Sequence, residues 1–306
     1  MRRRLSKIRA IGMAMKLLPA ILAAFIATTT VDAGSSDVQV IAATGTDTTE
    51  DSTAILRPAS VPVVSSITSF STTPKMRFYI GGDSYQVQTA GKSYSLTNPD
   101  PQTLRFEVRP GDKAWYDAGS VDRAEIENDA RIPVGTLINI SYDFMVEPNG
   151  ANGSFTNTAS SYFILGQLHN DDAVGGVPTS PPFYVNLVGD HLQVNALYCP
   201  TGLNPSNAAG NLTHLTLWTD PNPIRVGQYN ETKISANISN DSSGYLGVWV
   251  NGTQVVNYQG PLGFGDPTYW EYGLYRSPAP ETVAAKFRNM TITTVAGPPG
   301  ATSLRR

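Results

Sequence analysis

The sequence predicts an all-β chain built as a two-sheet sandwich or jelly roll, and three observations carry that prediction. Apolar and polar residues alternate at period two, as in Leu137-Ile138-Asn139-Ile140-Ser141-Tyr142-Asp143-Phe144, which is the pattern of a strand with one buried face. Glycine (27 residues) and proline (22 residues) are abundant while only 15% of residues are charged, a composition suited to short strands and many turns. No apolar stretch keeps a helical period for more than about two turns, and no internal repeat is visible. Many strands in succession without intervening helices point to antiparallel sheets packed face to face.

The elements follow in order. Arg2, Arg3, Arg4, Lys7 and Arg9 form a positive leader, Leu17 to Ile26 is a short apolar run, and Val31-Asp32-Ala33 offers small residues before Gly34. Residues 1–33 therefore read as a signal peptide, since the apolar segment from Ile11 is interrupted by Lys16 and is short for a membrane span. The expected location is secreted or periplasmic, with no membrane attachment once the leader is removed. Residues 34–75 are dominated by Ser, Thr, Ala, Val and Asp and read as a disordered linker that cannot bury enough surface to order itself. Alternation begins at Met76 and persists to Val295, so residues 76–295 form the predicted domain and 296–306 a flexible tail. The clearest hairpin joins Tyr245–Val250 to Thr253–Tyr258 through Asn251-Gly252, because Asn-Gly supplies the two positive φ angles of a tight turn.

Charge and cysteine content exclude some functions. With 22 Lys+Arg against 25 Asp+Glu the net charge is −3, which gives no basic stripe for nucleic acid. Cys199 is the single cysteine, so no intrachain disulfide is available and stability must come from core burial. It reads as a packed, inert thiol. The three histidines, His169, His191 and His214, show no metal-ligand spacing, and neither a metal nor another cofactor is expected.

Three segments place polar side chains on strands that otherwise look core-forming. Arg123, Glu125 and Glu127 share one face of Asp122–Glu127; Gln167 and His169 share a face of Phe163–His169; Tyr269, Glu271, Gly273 and Tyr275 share a face of Tyr269–Arg276. Singly, each has a structural reading: a surface ion pair, a strand-capping imidazole, a core phenol.

Together, Arg123-Ala124-Glu125-Ile126, Gln167-Leu168-His169 and Tyr269-Trp270-Glu271-Tyr272-Gly273-Leu274-Tyr275 resemble the ordered motifs of the jelly-roll polysaccharide lyases. That group includes alginate lyases, heparin lyase I and glucuronan lyases. The resemblance spans residues 76–295 and includes Gly247–Gly252 just before the third motif. It implies a concanavalin-like β-jelly-roll sandwich of two antiparallel sheets with a concave groove for an acidic polysaccharide, the chain acting as a monomer.

It also implies chemistry: Arg123 and Gln167 neutralise the uronate carboxylate, and His169 and Tyr275 serve as base and acid in β-elimination. Where H5 and O4 lie on one ring face, Tyr275 alone can fill both roles; where they lie on opposite faces, His169 as base is more natural. Glu125, Tyr269, Glu271 and Arg276 are the expected substrate-binding residues. This chain departs from the pattern at Glu271, where the group carries Lys, and at Glu127, where many alginate lyases carry a second Arg. Both changes make the groove less positive and favour an unsulfated polyuronate of the glucuronan type over a sulfated polymer. The rivals are a lectin-like module that binds sugar through its aromatic residues and a glycoside hydrolase using Glu125, Glu127 and Asp129.

Overall fold

Alternation along the strands decides which side chains meet between the sheets. In the computed structural model β7 (Leu137–Val146) buries Ile138, Ile140, Tyr142, Phe144 and Val146 and leaves the residues between them partly or fully open. The structure describes residues 65–171, 180–199 and 212–295. The expected signal peptide, the linker up to residue 64 and the tail from residue 296 lie outside these residues.

One antiparallel sheet runs in the order β1 (Ile67–Thr68), β2 (Arg77–Ile80), β3 (Asp83–Thr89), β6 (Asp122–Asn128), β15 (Thr268–Arg276), β8 (Phe163–Asn170), β9 (Phe183–Val188), β10 (His191–Tyr198) and β11 (Thr213–Pro223). The other runs β14 (Thr253–Gln259), β13 (Tyr245–Val250), β12 (Asn230–Asn237), β7, β16 (Val283–Val295), β5 (Thr103–Val108) and β4 (Leu96–Asp100). Strands distant in sequence, such as β6 and β15, are neighbours in space, and this is what gathers the three motifs.

Between the sheets, Phe106 and Phe287 meet edge to face at 5.5 Å, and Tyr272 lies 5.9 Å from Phe106. Tyr142, Phe144 and Trp270 complete this aromatic layer. Aromatic pairs of this kind add about 0.5–1.5 kcal/mol each beyond the area they bury, which suits a domain without a disulfide. Cys199 is buried beside Leu197 and Phe264. The Asn251-Gly252 hairpin forms with φ of 51° and 80°, and Val250 pairs with Thr253 across it.

Residues 65–75, expected in the linker, are part of the fold. Ile67 and Thr68 pair with Ile80 and Tyr79, and the Lys75 N–H donates to the Val87 carbonyl at 3.0 Å. Phe70, the one aromatic of that Ser/Thr-rich run, packs edge to face on Phe78 at 5.4 Å and gives the segment an apolar anchor.

Candidate active site

Pairing register lines up the polar residues on the face of the nine-stranded sheet turned away from the core. Directly opposed positions run Gln86, Glu127, Glu271, Gln167, Tyr184 and Asn195 across β3, β6, β15, β8, β9 and β10. A second row runs Arg123, Tyr275, Ile164 and Asn186. Between the rows the register of β8 and β15 shifts, an irregularity that re-aims side chains beside it. Gly273 sits there with φ of 138°, and a Cβ on it would lie 2.4 Å from the Ala124 carbonyl oxygen. Only glycine fits that position.

Arg123 is nearly buried and held on two sides. Its Nε donates to Asp117 Oδ2 at 3.0 Å and its Nη1 to Glu125 Oε2 at 2.6 Å. The guanidinium stacks 3.8 Å from the centre of the Tyr275 ring and 5.2 Å from that of Tyr116, a favourable placement over a π face. Nη2 makes no hydrogen bond to the protein among the described residues and is the nitrogen left to meet a ligand carboxylate.

Gln167 is held differently from the sequence expectation. Its Nε2 donates to Glu125 Oε1 at 3.2 Å and to Glu271 Oε2 at 3.0 Å. With Nε2 placed against an oxygen of each carboxyl, both N–H groups are spent inside the protein and none is left for a substrate carboxylate. Neutralisation therefore falls to Arg123. Glu125, expected to touch substrate, is fully buried with its oxygens on Arg123 and Gln167, so it positions those two instead. Burial pushes its carboxyl up to about 8, with the Glu271 charge adding to the rise and Arg123 opposing it.

His169 and Tyr275 keep chemistry open to the groove. His169 Nδ1 lies 2.8 Å from the Asn170 carbonyl oxygen, which can only accept. That nitrogen therefore carries the proton, and Nε2 keeps the lone pair a base requires. Tyr269 stacks on the imidazole with ring centres 5.3 Å apart, its hydroxyl 3.1 Å from Nδ1, so it orients the histidine. Tyr275 lies against Tyr162 at 4.9 Å. Burial raises its phenol above the ordinary tyrosine value, against the Tyr162 hydrogen bond and the Arg123 charge, so it stays protonated at neutral pH.

These residues line two adjoining clefts that share Arg123 and His169. One, of about 340 Å³, is lined by Tyr162, Ile164, Gln167, Tyr184, His214 and Tyr275 among others. The other, of about 330 Å³, is lined by Gln86, Gln88, Trp115, Tyr116, Glu127, Tyr269 and Glu271. Sequence reasoning missed the rim: Trp115 and Tyr116 are 42% and 44% exposed, meet edge to face at 4.9 Å, and sit on the loop before β6. An aromatic doublet inside a polar Gly/Asp loop was the available signal. It also missed Tyr162 and Tyr184, and His214 had been considered only as a metal ligand.

Arg276 does not belong to the groove. Alternation on β15 puts it with Trp270, Tyr272 and Leu274 on the core side, where it is fully buried. Its Nη2 lies 2.9 Å from Asp122 Oδ2, and it donates to the Ala279 and Glu281 carbonyls. Expecting it to bind substrate ignored its parity with the core residues.

A family model described as "Polysaccharide lyase" matches residues 69–294, a span that covers both sheets and both clefts. The chain belongs to the polysaccharide lyase family. Among solved structures, the lyase resembles an endo-β-1,4-glucuronan lyase from the fungus Trichoderma reesei at 12% identity and TM-score 0.51, over 69% of this chain and 87% of that one. An alginate lyase from Chlorella virus aligns at 12% identity and TM-score 0.49, over 69% of this chain and 93% of that one. A marine alginate lyase from Zobellia galactanivorans aligns at 14% identity and TM-score 0.44, over 77% and 96%. A search of curated proteins returns no match. The glucuronan lyase likeness shows the jelly-roll fold, and the family match shows a polysaccharide lyase.

Proposed function

We propose that the lyase cleaves an unsulfated, uronate-containing acidic polysaccharide by β-elimination, acting as a monomer outside the cytoplasm. The observation that supports this most directly is the meeting, in one groove, of Arg123 Nη2, the unprotonated Nε2 of His169 and the protonated Tyr275 phenol. Removing H5 of a uronate leaves an enolate-like carboxylate, and a guanidinium aimed at that oxygen lowers the barrier. The electron pair of the C5–H bond becomes the C4–C5 double bond, the C4–O4 bond breaks, and Tyr275 delivers a proton to O4. His169 Nε2 receives H5 where it lies across the ring from O4; on a single face Tyr275 takes H5 only after releasing its own proton to solvent, and the H5 it then holds passes to O4. The Lys-free groove and its buried glutamates support an unsulfated chain over a densely sulfated one.

The test is incubation with glucuronan, alginate, hyaluronan and heparin while following the absorbance of unsaturated uronate ends. Turnover is expected on at least one unsulfated polymer and is expected to be weakest on heparin. New reducing ends without unsaturation would instead mark a hydrolase, and retention of polymer without either product a binding module.

A further inference from the structure

The two clefts differ in charge. The one holding Tyr275 is lined, besides the shared Arg123 and His169, by His214, Tyr162, Tyr184 and Ile164, with no carboxylate among its described lining residues. The other is floored by Glu127 and Glu271, which sit directly opposite each other on β6 and β15. Arg123 is shared with the first cleft, where its free Nη2 serves the reacting uronate, and the other cations on this side are already engaged. Arg131 binds Glu127 at 2.6 Å and Asp171 at 3.5 Å, Arg77 binds Asp129, and Lys75 stands over the Trp115 ring at 5.5 Å. Among the described residues, Glu271 has no cation within ion-pair distance and accepts only from the Gln167 amide. Burial, followed by the Glu271 charge, raises the Glu127 carboxyl above its ordinary value despite Arg131. A second uronate there would place its carboxylate against these two groups, whereas the Gln86 amide and the Trp115–Tyr116 rim suit hydroxyls and a flat sugar face.

We propose that Glu127 and Glu271 make this cleft a subsite for an uncharged sugar, so that the preferred polymer pairs each uronate with a neutral neighbour instead of repeating uronate throughout. This inference rests on the β-elimination reading and departs from the homopolymer that the sequence favoured. Glu271 is then the residue that selects the neighbour and Arg123 the one that selects the uronate. The chemistry at C4 and C5 is untouched, because the neighbour's charge acts through binding alone.

The experiment compares two polymers with the same uronate and different neighbours: glucuronan, and hyaluronan with its alternating N-acetylhexosamine. Unsaturated ends are followed for the wild-type chain, Glu271→Gln, which keeps the side-chain shape, and Glu271→Lys, with thermal melting to confirm folding. Wild type is expected to favour hyaluronan by about tenfold in kcat/KM, the ratio to shrink in Glu271→Gln, and to invert in Glu271→Lys if that variant folds. A wild-type preference for glucuronan, or a ratio unmoved in Glu271→Gln, overturns the subsite assignment while leaving β-elimination standing. Silence on both polymers and on alginate overturns the assignment together with the lyase reading.

Discussion

The groove's two clefts share Arg123 and His169 and both carry phenols and amides, but among the described residues only the second is lined by carboxylates, Glu127 and Glu271. In the first, the side chains suited to moving protons stand at the surface of the cleft. In the second, Glu271 is desolvated and accepts from Gln167, and behind both clefts the buried Glu125 holds Arg123 and Gln167 in place. The difference teaches that residues on one strand face divide into those that react and those that fix the geometry of the reaction. Burial draws that line more sharply than residue type does. Glu125 and Arg123 are adjacent positions on the same face of β6, yet only Arg123 retains a nitrogen for a ligand.

Substitutions on each side test the division. The largest effect is expected at Tyr275→Phe, which removes the proton donor and leaves the ring over Arg123: kcat falls by about 10²–10⁴ with little change in KM, read from steady-state rates on the best polymer. A fall in KM affinity alone would place Tyr275 among the binding residues and erase the contrast between the clefts. Next comes Arg276→Ala, which touches neither cleft but strands Asp122 in the core. It should cost about 3–5 kcal/mol in chemical denaturation, while the polymer preference of the surviving folded fraction stays as in wild type.

A smaller, pH-dependent effect belongs to Glu125. Its folded-state value is raised, to about 8 against an ordinary 4.5, so the folded chain holds this proton more tightly than the unfolded one. Its contribution to stability is complete below about pH 4.5 and is lost as pH rises through about 8. Melting temperature is expected to drift downward between about pH 4.5 and 8, and Glu125→Gln should flatten that drift. An unchanged slope in the variant would mean that another group carries it. The mildest effect is expected at Trp115→Ala on the rim: KM rises by about three- to tenfold at constant kcat, the mark of uniform binding.

Much of this was legible before the fold was known. Period-two alternation fixes which side of β6, β8 and β15 each residue faces, and it correctly grouped Arg123 with Glu125, Gln167 with His169, and Glu271 with Tyr275. Arg276 broke from the expectation because its neighbours in sequence, not its parity, suggested a binding role. The spent amide of Gln167 could not be read from one strand, since it depends on Glu125 and Glu271 arriving from β6 and β15, which lie side by side next to β8. Order at residues 65–75 hid behind a polar composition in which Ile67 and Phe70 supply the anchor. Trp115 and Tyr116 went unread because loops lack the periodicity that flags exposed aromatics on strands.

The most direct test of the central claim is a paired measurement of unsaturated uronate ends and total new reducing ends, made on wild-type protein and Tyr275→Phe with an unsulfated uronate polymer. The account predicts that wild type produces the two in equal number and that Tyr275→Phe produces neither at a comparable rate. Reducing ends without matching unsaturation, or full unsaturation in Tyr275→Phe, would contradict it.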